Sequence, residues 1–240
     1  MIILAFESTA GTASVALCDG ERMLAQYTVN NGMTHSELLL PMAEDMLRAL
    51  GLGFEQIELY AVSVGPGSFT GVRIGASLVK GLAFGKNTPC VGVSSLEAMA
   101  KALEGVDGII VPCMDARRSQ AYTAIFRSGK DGIVRLTDDN AMGYKDIAAR
   151  LKEYNEPIYL TGDGYERAYG ALVSEGITPC STPRLLQGQN AYAVAMLARE
   201  AYERGEFTTD SKLSPIYLRM PQAERERLER LKNENKQKEI

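Results

Sequence analysis

Hydrophobic and polar positions alternate with two different periods along this chain. Short apolar runs bounded by turn formers such as Asp19-Gly20 are typical of strands joined by hairpins. Longer segments with apolar residues three and four apart are typical of amphipathic helices. The predicted elements of the first half are strands at 2–6, 13–18 and 23–29, a helix at 36–50, a strand at 59–64, a glycine-rich helix ending near 85, a strand at 90–93 and a helix at 95–103.

The second half repeats this order of elements at an offset of about 108 residues, which aligns Asp115 with Glu7. Its predicted elements are strands at 108–114, 121–126 and 133–136, a helix at 144–153, a strand at 158–161, a helix at 165–174, a strand at 177–180 and a helix at 191–204. The duplication predicts an α/β fold of two related lobes. We expect lobes at 1–104 and 105–190, a helix at 191–220 completing the first lobe, and a charged tail at 221–240.

Composition narrows the classes of function. The net charge is −4 and the pI about 5.3, which argues against a chain that grips nucleic acid by itself. No apolar run reaches membrane-spanning length, so we expect a cytoplasmic protein without membrane contact. The four cysteines include no C-x-x-C pair, so we expect reduced thiols in apolar strands.

The glycine-rich segment from Gly65 to Gly75 joins a predicted buried strand to a helix, where open α/β sheets place functional turns. Its spacing fits neither common nucleotide motif: the third glycine of a dinucleotide fingerprint comes one position late, and Val72-Arg73 replaces the Lys-Ser/Thr of a Walker A loop. Each glycine inside a helix costs about 1 kcal/mol relative to alanine. A packing reason is therefore expected.

Three turns resemble those that hold a metal and phosphates in two-lobed phosphotransferases. Acidic, small and glycine residues suggest a vestigial nucleotide site formed by Glu7, Ser8, Thr9, Asp115, Gly162 and Gly164. The same residues are also ordinary turn formers, and that simpler interpretation stays open. His35 is the only histidine and has no partner for a histidine-based metal site, so it fits a helix start better.

Several motifs resemble the bacterial TsaB family, also called YeaZ. They are residues 3–9, 14–17 and 35–41, the Gly65–Gly75 segment, Met114-Asp115-Ala116-Arg117 and Pro215-Ile216-Tyr217-Leu218-Arg219. The resemblance implies the actin-like (ASKHA, duplicated RNase H-like) fold with two lobes and mixed five-stranded sheets. It further implies a non-catalytic subunit in the synthesis of N6-threonylcarbamoyladenosine (t6A) beside the tRNA anticodon.

The resemblance also implies partners: a second copy of the chain, the catalytic paralogue TsaD and the ATPase TsaE, with tRNA contacted only through the complex. It implies no cofactor or metal for this chain, and leaves room for ATP or ADP at a subunit boundary. Glu7 stands where many members have Asp, and Arg118-Ser119-Gln120 also departs from the family pattern, which puts residual nucleotide binding in doubt.

In the family, the helices that correspond to residues 36–50 and 69–85 form the surface for dimerisation and for TsaD. Gly71 and Gly75 follow Gly67 at intervals of four, so we expect close approach of a helix there. About half of the apolar positions should instead face the chain's own sheet. The predicted interface residues are Leu39, Met42, Met46, Leu50, Phe69, Gly71, Val72, Arg73, Gly75 and Val79.

Two alternatives to an assembly subunit stay open. The first is an autonomous ATP-dependent kinase or ATPase, which predicts magnesium-dependent ATP turnover that requires Glu7 or Asp115. The second is a peptidase, which the missing metal ligands disfavour.

Overall fold

The computed structural model describes residues 1–219, and the predicted tail at 221–240 lies outside the described residues. The first lobe is built on a mixed five-stranded sheet with strand order β3-β2-β1-β4-β5. Its central strand β1 pairs antiparallel with β2 and parallel with β4, which pairs parallel with β5. The strands are β1 Ile2–Glu7, β2 Ala13–Asp19, β3 Arg22–Val29, β4 Leu59–Gly65 and β5 Cys90–Ser94.

Helices cover both faces of this sheet, so both sets of alternating positions along β1 are apolar. Leu4 and Phe6 pack in one cluster with α1 and α2, whereas Ile3 and Ala5 pack against α6 on the opposite face. The first-lobe helices are α1 His35–Ala49, α2 Phe69–Ala83, α3 Ser95–Lys101 and, after the second lobe in sequence, α6 Ala191–Glu203. The helix expected at 191–220 ends at Glu203, and an irregular segment continues to residue 219.

The second lobe repeats the architecture with two of its strands interrupted. Its elements are β6 Gly108–Asp115, β7 Gln120–Thr123, β8 Phe126–Gly129, β9 Gly132–Arg135, β10 Asn140–Gly143, α4 Tyr144–Leu151, β11 Ile158–Thr161 and α5 Tyr165–Ser174. β7 and β8 both pair antiparallel with β6 in one continuous register, so together they correspond to β2. β9 and β10 continue the sheet outward beside them, and β11 pairs parallel with β6 on its other side.

The interruption replaces the single strand that the sequence predicts at 121–126. At the break, the Ile125 N–H donates to the Thr137 hydroxyl (2.8 Å) instead of to a neighbouring strand. The Leu136 N–H donates to the Ile125 carbonyl (2.8 Å). The strand predicted at 177–180 is reduced to one bridge between Tyr159 and Cys180. A hydrogen bond to a residue 12 positions away therefore interrupts the strand predicted at 121–126, although its apolar pattern is continuous.

Helix α3 joins the two lobes. Its buried side chains Leu96 and Met99 pack with Ile110 of β6 and Phe126 of β8 in one core cluster. At its start, the Ser94 hydroxyl donates to Asp139 of the second lobe (2.7 Å). Apolar packing and polar contacts thus hold the lobes together at this helix. None of the helices within residues 1–219 has both the length and the hydropathy that a membrane crossing requires.

Candidate functional site

The carboxylate of Glu7 lies at the carboxyl end of β1 and is fully buried. One oxygen accepts hydrogen bonds from the backbone N–H (2.6 Å) and hydroxyl of Thr9, and the other accepts from the Ser63 hydroxyl on neighbouring β4. Burial raises the pKa of Glu7, and the hydrogen bonds from Ser63 and Thr9 partly offset that rise. The carboxylate is therefore engaged by the chain itself.

The start of α2 covers this turn, and its glycines make that contact possible. A Cβ on Gly71 would lie 2.0 Å from the Ser8 carbonyl oxygen, and a Cβ on Gly67 would lie 2.4 Å from that of Thr9. A Cβ on Gly75 would lie 2.5 Å from the Ser8 hydroxyl oxygen, and this hydroxyl donates to the Gly71 carbonyl (2.8 Å). The glycine face of α2 therefore packs on the chain's own β1–β2 turn. The prediction that Gly71 and Gly75 face another helix is wrong for this reason.

His35 begins α1, as the sequence predicts, and its ring packs against the same turn. Its Nε2 lies 2.7 Å from the Ala10 carbonyl oxygen, which makes Nε2 the donor. Its Nδ1 is buried and has no hydrogen-bond partner among the described residues. Within residues 1–219, no three His, Cys, Asp or Glu side chains are grouped to hold a metal ion.

The corresponding turns of the second lobe are also engaged internally. Asp115 accepts from the Arg117 N–H (2.8 Å) and pairs with Arg167 of α5 (2.9 Å). Gly162 and Gly164 both approach the Cys113 carbonyl oxygen, where added Cβ atoms would lie at 2.2 and 2.9 Å. These glycines serve close packing of the loop after β11 against β6.

The sequence-predicted nucleotide residues thus occupy three separate turns, those after β1, β6 and β11, and each is engaged by contacts within its own lobe. Glu7, Ser8 and Thr9 are all buried, so their side chains do not face solvent. Asp115 keeps partial exposure and an arginine partner. Binding of a nucleotide by these residues stays a prediction.

Most of the predicted interface residues are buried in the first lobe. Leu39, Met42, Met46 and Val79 belong to its core cluster, and Val72 is 1% exposed. These five residues are buried within the chain and cannot form an exposed surface, which corrects the prediction for them. Leu50, Phe69 and Arg73 retain exposure.

The exposed side of α2 consists of residues that follow one another at intervals of three and four, which places them on one face. This outer α2 stripe comprises Thr70, Arg73, Ser77 and Gly81, together with Phe84, the residue that directly follows the helix. Phe84 is 77% exposed, and a Cβ on Gly81 would meet nothing within 4 Å. No packing within the described chain explains a glycine there.

Arg73 is ordered by two aromatic rings. Its guanidinium carbon lies 3.9 Å from the Phe69 ring centroid and 5.7 Å from that of Tyr217, and its Nε donates to the Tyr217 hydroxyl (2.8 Å). The two rings lie 4.9 Å apart, and Tyr217 is 41% exposed. Sequence reasoning did not place Tyr217 here, because its separation from Arg73 gives no local signal.

Comparison with known proteins identifies the family. A family model described as TsaD, tRNA N6-adenosine threonylcarbamoyltransferase, matches residues 29–157. The tRNA threonylcarbamoyladenosine biosynthesis protein TsaB of Bacillus subtilis is 33% identical over 162 residues, which cover 68% of this chain and 71% of that protein. TsaB of Buchnera aphidicola subsp. Baizongia pistaciae is 32% identical over 224 residues, covering 90% and 97%. The chain belongs to the TsaB family.

Solved structures agree with TsaB-family membership. YeaZ from Pseudomonas aeruginosa is 25% identical, with a TM-score of 0.73 and coverage of 90% of this chain and 99% of that one. The (R)-2-hydroxyglutaryl-CoA dehydratase component A of Acidaminococcus fermentans, at 10% identity and a TM-score of 0.51, shares the fold alone. The two-lobed actin-like fold that the sequence predicts is confirmed.

Proposed function

We propose that this chain is a non-catalytic subunit that binds and activates a TsaD-type threonylcarbamoyltransferase during t6A synthesis. The names of its TsaB relatives support a role in that pathway. The proposal rests on one observation: Glu7, Ser8 and Thr9 at the β1–β2 turn are buried and hydrogen-bonded within the chain, whereas the outer α2 stripe is exposed to solvent. The chain acts by docking, and tRNA is contacted through the complex, in keeping with the net charge of −4.

The buried residues of the β1–β2 turn support the proposal that this subunit has no catalytic activity of its own. A phosphotransferase of this architecture needs an acidic side chain at that turn within reach of a metal and phosphates. Here both carboxylate oxygens of Glu7 accept hydrogen bonds, one from Thr9 and the other from Ser63. The Ser8 hydroxyl donates to the Gly71 carbonyl. Opening the turn would require α2 to move away from the sheet that it packs against.

The outer α2 stripe supports docking. Arg and Phe are residue types enriched at interfaces, and Arg is also enriched among the residues that dominate binding energy, as Arg73 and Phe84 illustrate on this surface. Ser77 and Gly81 lie between them and let a partner helix approach the α2 backbone. Exposed glycine costs α2 about 1 kcal/mol relative to alanine, so a partner surface gives Gly81 a purpose. The same surface serves the homodimer, and the two assemblies exclude one another.

The proposal is tested with Gly81→Leu and the matched control Gly170→Leu. Gly170 is also an exposed helical glycine, on α5, whose Cβ would meet nothing within 4 Å. Both variants should fold, as circular dichroism would verify. Gly81→Leu should weaken binding to TsaD by about 30-fold or more, the size of a hot-spot loss, whereas Gly170→Leu should bind normally.

Activity is measured as t6A formed from tRNA and threonylcarbamoyl-AMP in the presence of TsaD and TsaE. At limiting concentration of this chain, Gly81→Leu should lower the yield and Gly170→Leu should not. Equal binding by both variants would reject the docking surface. Transfer that proceeds as fast without this chain would reject the activating role. Magnesium-dependent ATP turnover by the chain alone, lost in Asp115→Asn, would favour the kinase alternative.

A further inference from the structure

Residues 204–219, which we name the strap, follow α6 and run along the edge of the first lobe. Thr208 exchanges two backbone hydrogen bonds with Cys90 of the edge strand β5, each 2.9 Å long. The Lys80 ammonium on α2 donates to the Leu213 carbonyl (3.1 Å), and the Leu213 side chain is buried in the first-lobe core. The strap is therefore fixed to the first lobe over most of its length.

The strap then crosses the start of α2. The Ile216 N–H donates to the Val64 carbonyl (2.7 Å) at the end of β4. Gly65 makes room for this crossing, because a Cβ there would lie 2.5 Å from the Ile216 carbonyl oxygen. The next residue, Tyr217, holds Arg73 of the outer α2 stripe.

The end of the strap reaches the second lobe. The Arg219 guanidinium donates to the Ala116 carbonyl (2.9 Å) and to the Gln120 side-chain oxygen, and it lies 5.6 Å from the Tyr122 ring centroid. Ala116 and Gln120 flank the turn between β6 and β7. The three residues inside that turn, 117–119, all have φ between 53° and 60°, a left-handed region that side chains other than glycine disfavour. Such a turn depends on contacts from outside itself.

We infer that the strap is a conformational clamp between the lobes, in which Arg219 latches the β6–β7 turn of the second lobe. Tyr217 and Arg219 are two residues apart, so the outer α2 stripe and the second lobe are joined through one short segment. The inference concerns contacts within one chain and does not require the proposed function. Its test uses the chain without any partner, so its failure is distinguishable from failure of the docking proposal.

The test compares amide hydrogen exchange in the full chain and in Arg219→Ala by nuclear magnetic resonance. The Ala116 and Gln120 amides, which are hydrogen-bonded within the turn, should exchange at least about tenfold faster, because hydrogen bonds from a charged group stabilise more than neutral ones. The Ile216 amide should keep its protection, since its partner Val64 lies in the first lobe. The matched control is Arg204→Ala, because Arg204 lies on the strap and forms its exposed ion pair with Glu206 of the same segment. It should leave all three amides unchanged.

A double-mutant cycle separates a latch from a general loss of stability. Arg219→Ala and Gln120→Ala should be non-additive in their effect on the Ala116 exchange rate, because they remove two ends of one contact. Arg219→Lys should restore part of the protection, because an ammonium cannot reproduce both arms of the guanidinium contact. Unchanged exchange in the turn, additive effects in the cycle, or equal acceleration at Ile216 would each overturn the inference.

Discussion

Gly71 and Gly81 lie on the same helix, and the structure predicts opposite consequences of replacing them with alanine. A Cβ on Gly71 would lie 2.0 Å from the Ser8 carbonyl oxygen, whereas carbon–oxygen contacts are normally about 3.3 Å or longer. The obstacle is backbone, so either α2 or the β1–β2 turn must move by more than about 1 Å. A Cβ on Gly81 would meet nothing.

The magnitudes follow from three contributions to the free energy of unfolding. Overpacking at Gly71 costs about 3 kcal/mol, at the upper end of the usual range, because backbone cannot rotate away. Displacing the hydrogen bond from Ser8 to the Gly71 carbonyl costs about 1 kcal/mol more. Alanine regains about 1 kcal/mol of helix propensity at either site. We therefore expect Gly71→Ala to destabilise the fold by about 3 kcal/mol and Gly81→Ala to stabilise it by about 1 kcal/mol.

Urea unfolding followed by far-ultraviolet circular dichroism measures both changes. Because helix propensity is common to the two variants, their difference isolates the contact with Ser8. Gly75→Ala should fall between them, because the nearest atom there is the Ser8 hydroxyl oxygen, which can rotate. If Gly71→Ala unfolds at the same or a higher urea concentration than Gly81→Ala, the intramolecular explanation of the glycine face is wrong.

Three further predictions concern the consequences of burial for Glu7, the cysteines and Leu96. Burial raises the pKa of the Glu7 carboxyl group in the native state above 4.5. As pH rises from 4.5, this carboxyl group loses its proton in the unfolded state first, so the native state becomes less stable relative to the unfolded state. Glu7→Gln should therefore gain stability relative to the wild type with rising pH in urea unfolding, and a difference independent of pH would contradict this. Iodoacetamide at pH 8 should modify Cys180 first, as measured by peptide mass spectrometry, because the other three cysteines are buried. Burial also raises the pKa of Cys18 and Cys113 to about 12. Early labelling of Cys18 or Cys113 would disprove this prediction. Leu96→Ala should lower the unfolding free energy by about 2–5 kcal/mol in the same urea assay, since it opens a cavity in the core between the lobes, and a loss below 1 kcal/mol would show that the joint can collapse.

Local patterns in the sequence predict most of the fold correctly. The apolar alternation of β1 and the hairpin formers that follow it act over a few residues, and the structure places those strands within a residue or two of the prediction. The recurrence of element order also gave the two lobes. The interrupted second-lobe strands could not be predicted, because the hydrogen bond at the break joins Ile125 to Thr137, a residue 12 positions away in the sequence.

For the candidate site, the sequence predicts less than it does for the fold. Sequence identified α2 as special, because several glycines in one helix require an explanation. It could not say which neighbour uses them, since the direction of a helix face depends on how the sheet and helix pack. The structure assigns Gly67, Gly71 and Gly75 to the β1–β2 turn, and leaves Gly81 on the outside.

Sequence alone determined the order of elements in the first lobe, the family resemblance and the importance of the segment from Gly65 to Gly75, because each depends on residue types and short spacings. Only the tertiary structure decided which residues are accessible. In the structure, Met46 and Val72 are buried, Phe84 is exposed, and Tyr217 contacts Arg73. The physical reason is that burial and contact between distant residues are properties of the packed chain, which no local pattern contains.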